Sequence, residues 1–256
     1  MDTQQQKQFK ILLIGDSCND VYTFGTCTRL SPEAPVPIFV KHNSITQPGM
    51  VLNVKNNLEG LGCATELITH KEVITKERFV DASSNQQLLR IDDDCNVTQL
   101  TFNSATNFET LYDAIVVSDY NKGFIEPGVI KKIAKKAQNT NIPMLVDSKR
   151  KDLSCFEGCI IKLNKKEAES VTIWPKQYNL IVTHGKDGAV WQGKRFSAPS
   201  VEIHNVCGAG DTFLAGLTYN YLQTKNMEDA LIFANKCAAI AVSKFGTYSI
   251  TKDDLT

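Results

Sequence analysis

Short runs of apolar residues recur along the chain, and most of them end in a polar residue. Their sequences are KILLIGD, AIVVSDY, IPMLVDSK, CIIKLNKKE and NLIVTHG. Runs of this length that are rich in Ile, Val and Leu are typical of strands buried on both faces, as in a parallel sheet. Helical patterns lie between some of them, such as EPGVIKKIAKKAQN, which has one apolar face and one lysine-rich face. This alternation predicts a doubly wound α/β sheet.

Polar residues at the carboxyl ends of these strands meet along one rim of such a sheet, where ligands bind in doubly wound folds. These residues are Asp16, Asp119, Asp147, Asn164 and Thr183. Each of them alone is more often a turn former or a helix cap than a ligand. Together on one rim, they favour a polar crevice.

Two stretches break the alternation of strands and helices. Residues 20–47 are proline-rich and strand-like without a helical period, and residues 73–91 resemble two strands around a Ser-Ser-Asn turn. We interpret both as a small β layer that projects from the main sheet as a lid. On pattern alone, a pair of surface hairpins without a role explains them about as well. We expect one domain over residues 1–256 that includes these lid segments.

Charge and composition exclude several classes of protein. The chain has 28 basic and 28 acidic residues, which argues against a nucleic-acid or membrane partner that is recognised through bulk charge. No apolar run approaches the roughly 18 residues that span a bilayer, and the segment MDTQQQKQFK lacks the apolar core of a secretory signal. Eight cysteines without a paired metal spacing favour reduced thiols and a cytoplasmic location, and four dispersed histidines argue against a histidine-rich metal site.

The segment HNVCGAGDTFLAGL places one acid between a glycine-bracketed turn and an apolar helical run. Gly208, Ala209 and Gly210 can bring bare backbone close to a ligand, and the first turn of the following helix offers unpaired N–H groups and a partial positive charge. The two together suit a phosphate group. The helix dipole would keep Asp211 ionised, as a general base for phosphoryl transfer to an alcohol. Taken alone, this short string fits better with a tight turn whose acid complements the dipole.

Several motifs together resemble one known family. GAGDTF after a strand-like run, PGMVLNV near the N-terminus, and KLNKKE ahead of VTHGKDG resemble the ribokinase-like (PfkB) carbohydrate kinases. Within that family, the blocks SPEAPVP, NQQLLRID and VSDYNKGF are similar to heptose 7-phosphate kinases of lipopolysaccharide-precursor synthesis. The similarity runs in the same order from about Phe9 to Leu255. It implies a three-layer α/β sandwich with a mostly parallel sheet and a small projecting β lid.

The resemblance also implies an activity, the phosphorylation of the anomeric hydroxyl of a heptose 7-phosphate by ATP with Mg²⁺. Asp211 matches the catalytic base of the family, and Gly208, Ala209 and Gly210 match its anion hole. The positions that match on the nucleotide side are Asn164, Glu167, Thr183, Gly185, Gly188 and Asn235. Of these, Asn164 and Glu167 match the N-x-x-E motif that organises Mg²⁺, expected here through water. Their simpler interpretation is a strand end followed by a helix cap.

On the sugar side, Asp20 and Asn53 match positions that bind hydroxyl groups. The distal phosphate of the substrate requires a cationic clamp, for which arginine offers bidentate geometry. The candidates in the matching blocks are Arg29, Arg90, Lys122 and Lys149. Each of them is nearly as consistent with a solvated surface charge.

The chain departs from the family at several positions. Met50 follows Gly49 where the family has two adjacent glycines, and it can crowd the sugar pocket. Asn205 and Cys207 stand where the family has Asp and Thr. The lost negative charge lies near the monovalent-cation site of many relatives, which weakens the case for K⁺. Between Thr69 and Lys71 the family carries several tens of residues more, so we expect a shortened sheet edge.

Two alternatives to a heptose kinase stay open on sequence. One is a kinase of the same family for another sugar or a nucleoside, which Met50 motivates. The other is a non-catalytic ligand-binding relative, although Asp211, Asn164 and Glu167 would be unnecessary there. The exposed edges of the β layer invite pairing, and relatives pair their lids, so we expect a homodimer.

Overall fold

A computed structural model describes residues 7–101, 112–244 and 246–255. The strands in this part of the chain are β1 (Lys10–Gly15), β2 (Ser17–Thr26), β3 (Val40–Met50), β4 (Ala64–Ile68), β5 (Thr75–Asp81), β6 (Gln87–Asp93), β7 (Ala114–Asp119), β8 (Met144–Ser148), β9 (Ile160–Asn164), β10 (Asn179–Thr183), β11 (Ala189–Trp191) and β12 (Lys194–Phe196). The α-helices are α1 (Val51–Gly60), α2 (Pro127–Asn139), α3 (Lys165–Ser170), α4 (Ala209–Thr224) and α5 (Met227–Val242). Short 3₁₀ helices cover Gly185–Asp187 and Lys252–Leu255.

The main sheet has eight strands in the order β12-β11-β10-β9-β8-β7-β1-β4. Pairing is parallel from β10 to β4, whereas β11 pairs antiparallel with both β10 and β12. Each of the five apolar runs in the sequence forms one of the central strands, β1 and β7 to β10. The predicted mostly parallel sheet is therefore confirmed.

Helices cover both faces of this sheet, because alternate strand residues point to opposite sides. On β1, Ile11 and Leu13 pack into a core with α1, α4 and α5, whereas Leu12 and Ile14 pack into a second core with α2. All four side chains are essentially buried, and burial of each contributes about 1.5–3 kcal/mol relative to exposure. The resulting three layers confirm the predicted sandwich.

Helix α2 shows how local sequence sets the ends of an element. Glu126 caps its start by accepting a hydrogen bond from the backbone N–H of Val129 at 2.6 Å, and Pro127 occupies the first turn. The apolar face predicted from the sequence is the buried one, with Ile130 and Ile133 at its centre. The helix thus lies on the sheet with its lysines outward.

The second sheet has four strands in the order β3-β2-β5-β6. β2 pairs antiparallel with β3 and parallel with β5, and β5 forms a hairpin with β6. Asp81 stabilises the hairpin turn by accepting hydrogen bonds from the N–H groups of Ser83 and Ser84, both at 2.9 Å. The lid strands begin at Ser17 and end at Asp93, so they reach beyond the predicted segments 20–47 and 73–91.

The edge strand β4 and the helix α5 complete the main sheet and its helical layers. β4 forms one edge of the main sheet and connects directly through residues 69–74 to the lid strand β5. Helix α5 ends at Val242 with Ser243 as its cap. Among the helices of the described ranges, none has the length and apolarity to cross a membrane.

Candidate active site

A cleft of about 600 Å³ opens at the carboxyl ends of the central strands, within the size range of small-molecule sites. Its walls come from the rim of the main sheet, from the loop after β12, and from helices α4 and α5. All six residues matched to nucleotide binding line this cleft: Asn164, Glu167, Thr183, Gly185, Gly188 and Asn235. Of the five predicted rim residues, Asp147, Asn164 and Thr183 line this cleft, whereas Asp16 and Asp119 are buried and are not part of its lining.

The glycine turn at the start of α4 forms the inner wall of the cleft. Gly208 precedes the helix with a φ of 77°, and a Cβ there would lie 2.6 Å from the Nδ2 atom of Asn53. A Cβ on Gly210 would lie 2.9 Å from the Nζ atom of Lys162. Both positions need glycine, one for its backbone angle and both for close approach. Ala209 and Gly210 line the cleft, so the first turn of α4 faces whatever binds there.

Asp211 lies behind this turn and is only 4% exposed. Its Oδ2 atom accepts a hydrogen bond from Asn53 Nδ2 at 3.1 Å, and its Oδ1 atom accepts one from the hydroxyl of Tyr120 at 2.9 Å. Burial raises the pKa of Asp211 to about 6, and Asp147 adds to the rise, while Asn53, Tyr120 and Lys162 oppose it. Desolvation therefore outweighs the stabilisation of the ionised form that the helix dipole was expected to provide. The carboxylate is still mainly ionised at neutral pH and is well suited to take up a proton.

A buried ion pair lies against the glycine turn. Lys162 Nζ contacts Asp147 Oδ2 at 2.6 Å, and both residues line the cleft. Burial lowers the pKa of Lys162, but the attraction of Asp147 outweighs it and the pKa is raised. The lysine therefore stays charged beside Gly210, where an anion would meet it. We did not select Lys162 from the sequence, although a lysine within the apolar run CIIKLN was a detectable signal.

The N-x-x-E motif lies at the end of β9 and the start of α3, as its simpler interpretation predicted. Asn164 and Glu167 form a capping box at the start of α3, with reciprocal hydrogen bonds of 2.7 and 2.9 Å between backbone N–H groups and side chains. Both also line the cleft, and burial, together with the nearby charge of Asp147, raises the pKa of Glu167. The cap holds these side chains in place at the rim.

The same two residues bear on a metal site. In the part of the chain that the structure describes, no three His, Cys, Asp or Glu side chains are grouped so as to hold a metal ion. Mg²⁺ commonly keeps several waters and uses one or two carboxylates together with substrate phosphates. The oxygen donors of Asn164 and Glu167 on the cleft wall fit that mode of binding, and a dedicated protein cage does not.

The outer part of the cleft is an apolar slot. Val201, Ile203 and Val206 form one wall, and Ala238 and Val242 of α5 form the other. A flat heterocyclic base would fit between such walls, since apolar side chains lose little by giving up water there.

Loop glycines and one buried asparagine shape the slot. Gly188 has a φ of 86°, and a Cβ there would collide with the backbone around Phe196. Asn235 is buried, and its Nδ2 atom donates to the carbonyl oxygen of Phe196 at 2.8 Å. Thr183 donates to the carbonyl oxygen of Leu163 at 3.3 Å. The Asn235 bond fixes the end of β12 against α5, and the Thr183 bond joins β10 to β9.

The residues matched to the sugar lie where the lid meets the main sheet. Asp20 of β2 accepts a 2.6 Å hydrogen bond from Arg78 of β5, and both side chains are buried. Asn53 binds Asp211 and donates weakly to the carbonyl oxygen of Gly208 at 3.4 Å. Both matched residues therefore already have protein partners, and Arg78 is a site residue that sequence reasoning missed.

Met50 explains why relatives have glycine at its position. It has a φ of 55° and a ψ of −129°, a conformation that costs a residue with a side chain about 1–3 kcal/mol. Its side chain is 2% exposed and packs with Cys18 and Ile74 against Tyr120. Met50 is therefore part of the small buried cluster on which Tyr120 packs and does not line the cleft.

The proposed cationic clamp is only partly brought together. Lys149 lines the cleft, and its Nζ atom lies 3.8 Å from the ring centre of Tyr120. Arg29 and Arg90 are exposed on the lid, where Arg90 pairs with a neighbouring acid, and Lys122 pairs with Asp94. A further lysine, which the sequence did not indicate, lies near the same ring: Lys76 Nζ of β5 is 5.0 Å from the Tyr120 ring centre.

The side chain of Asn205 is used within its own loop. Its Oδ1 atom accepts a hydrogen bond from the backbone N–H of Cys207 at 2.8 Å. This Asx-type turn supports the loop that leads into Gly208. An uncharged side chain is sufficient for that role.

Comparison with known proteins identifies the family. The family model described as pfkB family carbohydrate kinase matches residues 129–254, which run from within α2 through β8 to α5. The bifunctional protein HldE of Nitratiruptor sp. is 30% identical in an alignment of 301 positions that covers 96% of this chain. The chain therefore carries a pfkB family carbohydrate kinase domain. This kinase is therefore a phosphotransferase with an alcohol acceptor.

Other comparisons bear on extent and on fold. The bifunctional protein HldE of Campylobacter jejuni (strain RM1221) is 30% identical over 98% of the kinase. The kinase spans 64% of the length of each of these two HldE proteins. Phosphofructokinase-2 from Escherichia coli in complex with potassium superposes with a TM-score of 0.73 at 16% identity, over 97% of each chain. Ribokinase of Arabidopsis thaliana complexed with ribose and ATP superposes with a TM-score of 0.71 at 15% identity, over 97% of the kinase and 98% of that chain. These structures share the fold.

Proposed function

We propose that this kinase transfers the γ-phosphoryl group of ATP to the anomeric hydroxyl of a heptose 7-phosphate and produces the 1,7-bisphosphate. The observation that carries the proposal is the buried carboxylate of Asp211, with a pKa of about 6, behind a glycine turn that faces the cleft. The blocks SPEAPVP and NQQLLRID support heptose as the sugar, and so does the similarity to HldE proteins.

The proposed reaction is an in-line displacement at phosphorus. The anomeric oxygen forms a bond to the γ-phosphorus as its proton passes to Asp211, and the bond from the γ-phosphorus to the bridging oxygen breaks, so that ADP leaves with that electron pair. The N-terminus of α4 and the ammonium of Lys162 face the position where the γ-phosphate lies in this arrangement. Fixed positive charge there stabilises the transition state more than the ground state.

We place the adenine in the apolar slot beside α5 and the phosphates along the rim towards Gly210. Asn164 and Glu167 would hold Mg²⁺ through water beside the phosphates. When bound, the metal supplies further neutralisation of the phosphate charge. The weakened case for K⁺ is supported by Asn205, whose side chain is neutral and engaged with Cys207.

We assign the distal phosphate of the sugar to Lys76 and Lys149, in place of Arg29, Arg90 and Lys122. Within the described ranges, neither Lys76 nor Lys149 has a carboxylate in salt-bridge range, and both lie over the ring of Tyr120. Burial lowers the pKa of Lys149, followed by repulsion from Lys76, which indicates that the two ammonium groups are close to each other. A dianionic phosphate would relieve this repulsion.

The proposed dimer is supported by the lid. Every residue of the edge strand β6 is exposed, including Leu88, Leu89 and Ile91, and on β3 Val40 and Ile45 are exposed as well. A free edge strand that carries apolar side chains favours pairing with a second copy. All eight cysteines are free thiols, which supports the proposed cytoplasmic location.

The decisive experiment is a direct test of turnover. The purified protein is incubated with ATP, Mg²⁺ and heptose 7-phosphate, and the bisphosphate is sought by mass spectrometry. A panel of sugars and nucleosides, with and without a terminal phosphate, serves as the comparison. Preference for another acceptor would replace heptose by that substrate. Sugar binding without ATP consumption would favour a non-catalytic relative.

A further inference from the structure

Tyr120 stands between the proposed base and the cleft. It follows β7 directly, and its ring lines the cleft, while its hydroxyl donates to Asp211 Oδ1 at 2.9 Å. No sequence motif pointed to this contact, which joins positions 91 residues apart.

The position of the Tyr120 ring is determined from several sides. Its backbone N–H donates to the buried carboxylate of Asp16 at 2.8 Å. Met50, in a cluster with Cys18 and Ile74, packs against the ring. The ammonium groups of Lys76 and Lys149 lie over it at 5.0 and 3.8 Å from its centre. A side chain held in this way keeps its hydroxyl aimed at one acceptor.

We propose that Tyr120 is a positioning residue for the base: its hydroxyl supplies the hydrogen bond that keeps Asp211 ionised and oriented towards the acceptor. The role of Asp211 as base rests on the proposed function, whereas the hydrogen bond itself does not. Tyr120 acts only as a donor, because burial and the charge of Asp211 raise its own pKa well above the usual range. A protonated phenol donates a charge-assisted hydrogen bond to the ionised form of Asp211 and has no interaction of similar strength with the protonated form. The hydrogen bond therefore favours the ionised form.

Other groups near Asp211 also interact with its carboxylate, and a test of Tyr120 must leave them unchanged. They are Cys18 of β2, Asn53 of α1, Asp147 of β8, Lys149 after β8 and Lys162 of β9. The substitution Tyr120→Phe removes one hydroxyl and preserves the ring on which the lysines and Met50 pack. Its effect on Asp211 therefore reports on the single hydrogen bond.

The experiment measures the titration of Asp211 directly, in the full chain without ATP or sugar. Aspartate labelled with ¹³C at the carboxyl carbon is followed by NMR across the acidic to neutral range, and the Asp211 signal is assigned by its loss in Asp211→Asn. We expect Tyr120→Phe to raise the midpoint by about one pH unit, since a hydrogen bond to a charged group is worth about that much. The control Tyr178→Phe alters a ring that stacks on Trp174, and we expect no change there.

A midpoint in Tyr120→Phe equal to that of the unaltered protein would overturn the proposal, because cleft water would then serve as well as the phenol. A measurement without any substitution guards against a variant that fails to fold. In the unaltered protein, the ¹³Cζ signal of Tyr120 should titrate with the midpoint of Asp211, and a flat signal would also overturn the proposal.

Activity gives a separate readout. If the bisphosphate forms, the loss of kcat/KM in Tyr120→Phe should be largely recovered when the pH is raised by about one unit above neutral. A loss that persists at all pH values would indicate structural damage and contradict the positioning role. If no bisphosphate forms but the midpoint still shifts, the hydrogen bond stands and the proposed function fails.

Discussion

Replacing Asp211 by Asn should lower turnover strongly and make the protein more resistant to unfolding at neutral pH. Asp211 has a pKa of about 6 in the folded state against an ordinary value of 3.8, so its ionised form is better stabilised in the unfolded chain. The carboxylate therefore destabilises the fold once it is charged. Two pKa units correspond to about 3 kcal/mol.

The sign of the pH dependence follows from this shift. At pH values below the pKa of the unfolded state, the carboxyl group is protonated in both states and does not lower the free energy of unfolding. As the pH rises from there through the pKa of the folded state, the unfolded chain is the more readily ionised, so the free energy of unfolding falls. Because Asn does not titrate, the stability of Asp211→Asn relative to the unaltered protein should grow by about 2 kcal/mol from about pH 4.5 to pH 7.5. If the new amide makes a poorer contact with Asn53, the free energy of unfolding of Asp211→Asn changes by a similar amount at both pH values. The change between the two pH values is therefore unaffected.

Urea unfolding of both proteins at several pH values measures this difference, and contributions from other titrating groups cancel in the comparison. Turnover at neutral pH should fall by a factor of about 10²–10⁴, the usual contribution of a general base. A stability difference that is constant with pH would show that Asp211 is not a destabilised carboxylate. Retained turnover would refute its role as the base.

Three further perturbations test other parts of the site. Lys162→Met leaves a buried acid unpaired, so we expect about 3 kcal/mol less stability in urea and a kcat lower by about 10²-fold; unchanged kcat would remove this lysine from the phosphate site. Met50→Gly should be about 1 kcal/mol more stable in urea than Met50→Ala, because both lose the side chain and only Gly relieves the backbone; the usual order, Ala above Gly, would contradict the strain. By light scattering, the unaltered protein should be a dimer and Leu89→Asp a monomer, with Ile232→Asp on α5 as the exposed apolar control; a monomeric unaltered protein would refute pairing through the lid.

The parts of the fold that follow from local patterns could be predicted from the sequence. The runs that became β1 and β7 to β10 are apolar enough to require burial on both faces, and the polar residues that end them reach one rim as a consequence of parallel pairing. The glycine turn could also be predicted from local sequence. Gly208 and Gly210 let the backbone come close to other atoms, whatever the surrounding fold.

The parts that depend on contacts between distant segments could not be predicted. Tyr120 and Lys76 lie in different sheets, and the pairing of Arg78 with Asp20 joins residues 58 apart. The clamp candidates Arg29 and Arg90 were chosen because they lie in matching blocks, but a block does not reveal which side of a lid strand faces solvent. The net rise in the pKa of Asp211 likewise depends on how deeply the fold buries it.

Short connections join the lid to the main sheet at three points. Asp16 alone separates β1 from β2, β3 passes into α1 without an intervening residue, and residues 69–74 lead from β4 to β5. His70 pins that last connection, as its Nε2 atom accepts from the N–H of Ser17 at 3.1 Å and its Nδ1 atom donates to the carbonyl oxygen of Glu72 at 2.8 Å. Connections this short couple any movement of β2, β3 and β5 to the ends of β1, α1 and β4, where Asn53 and the proposed base lie.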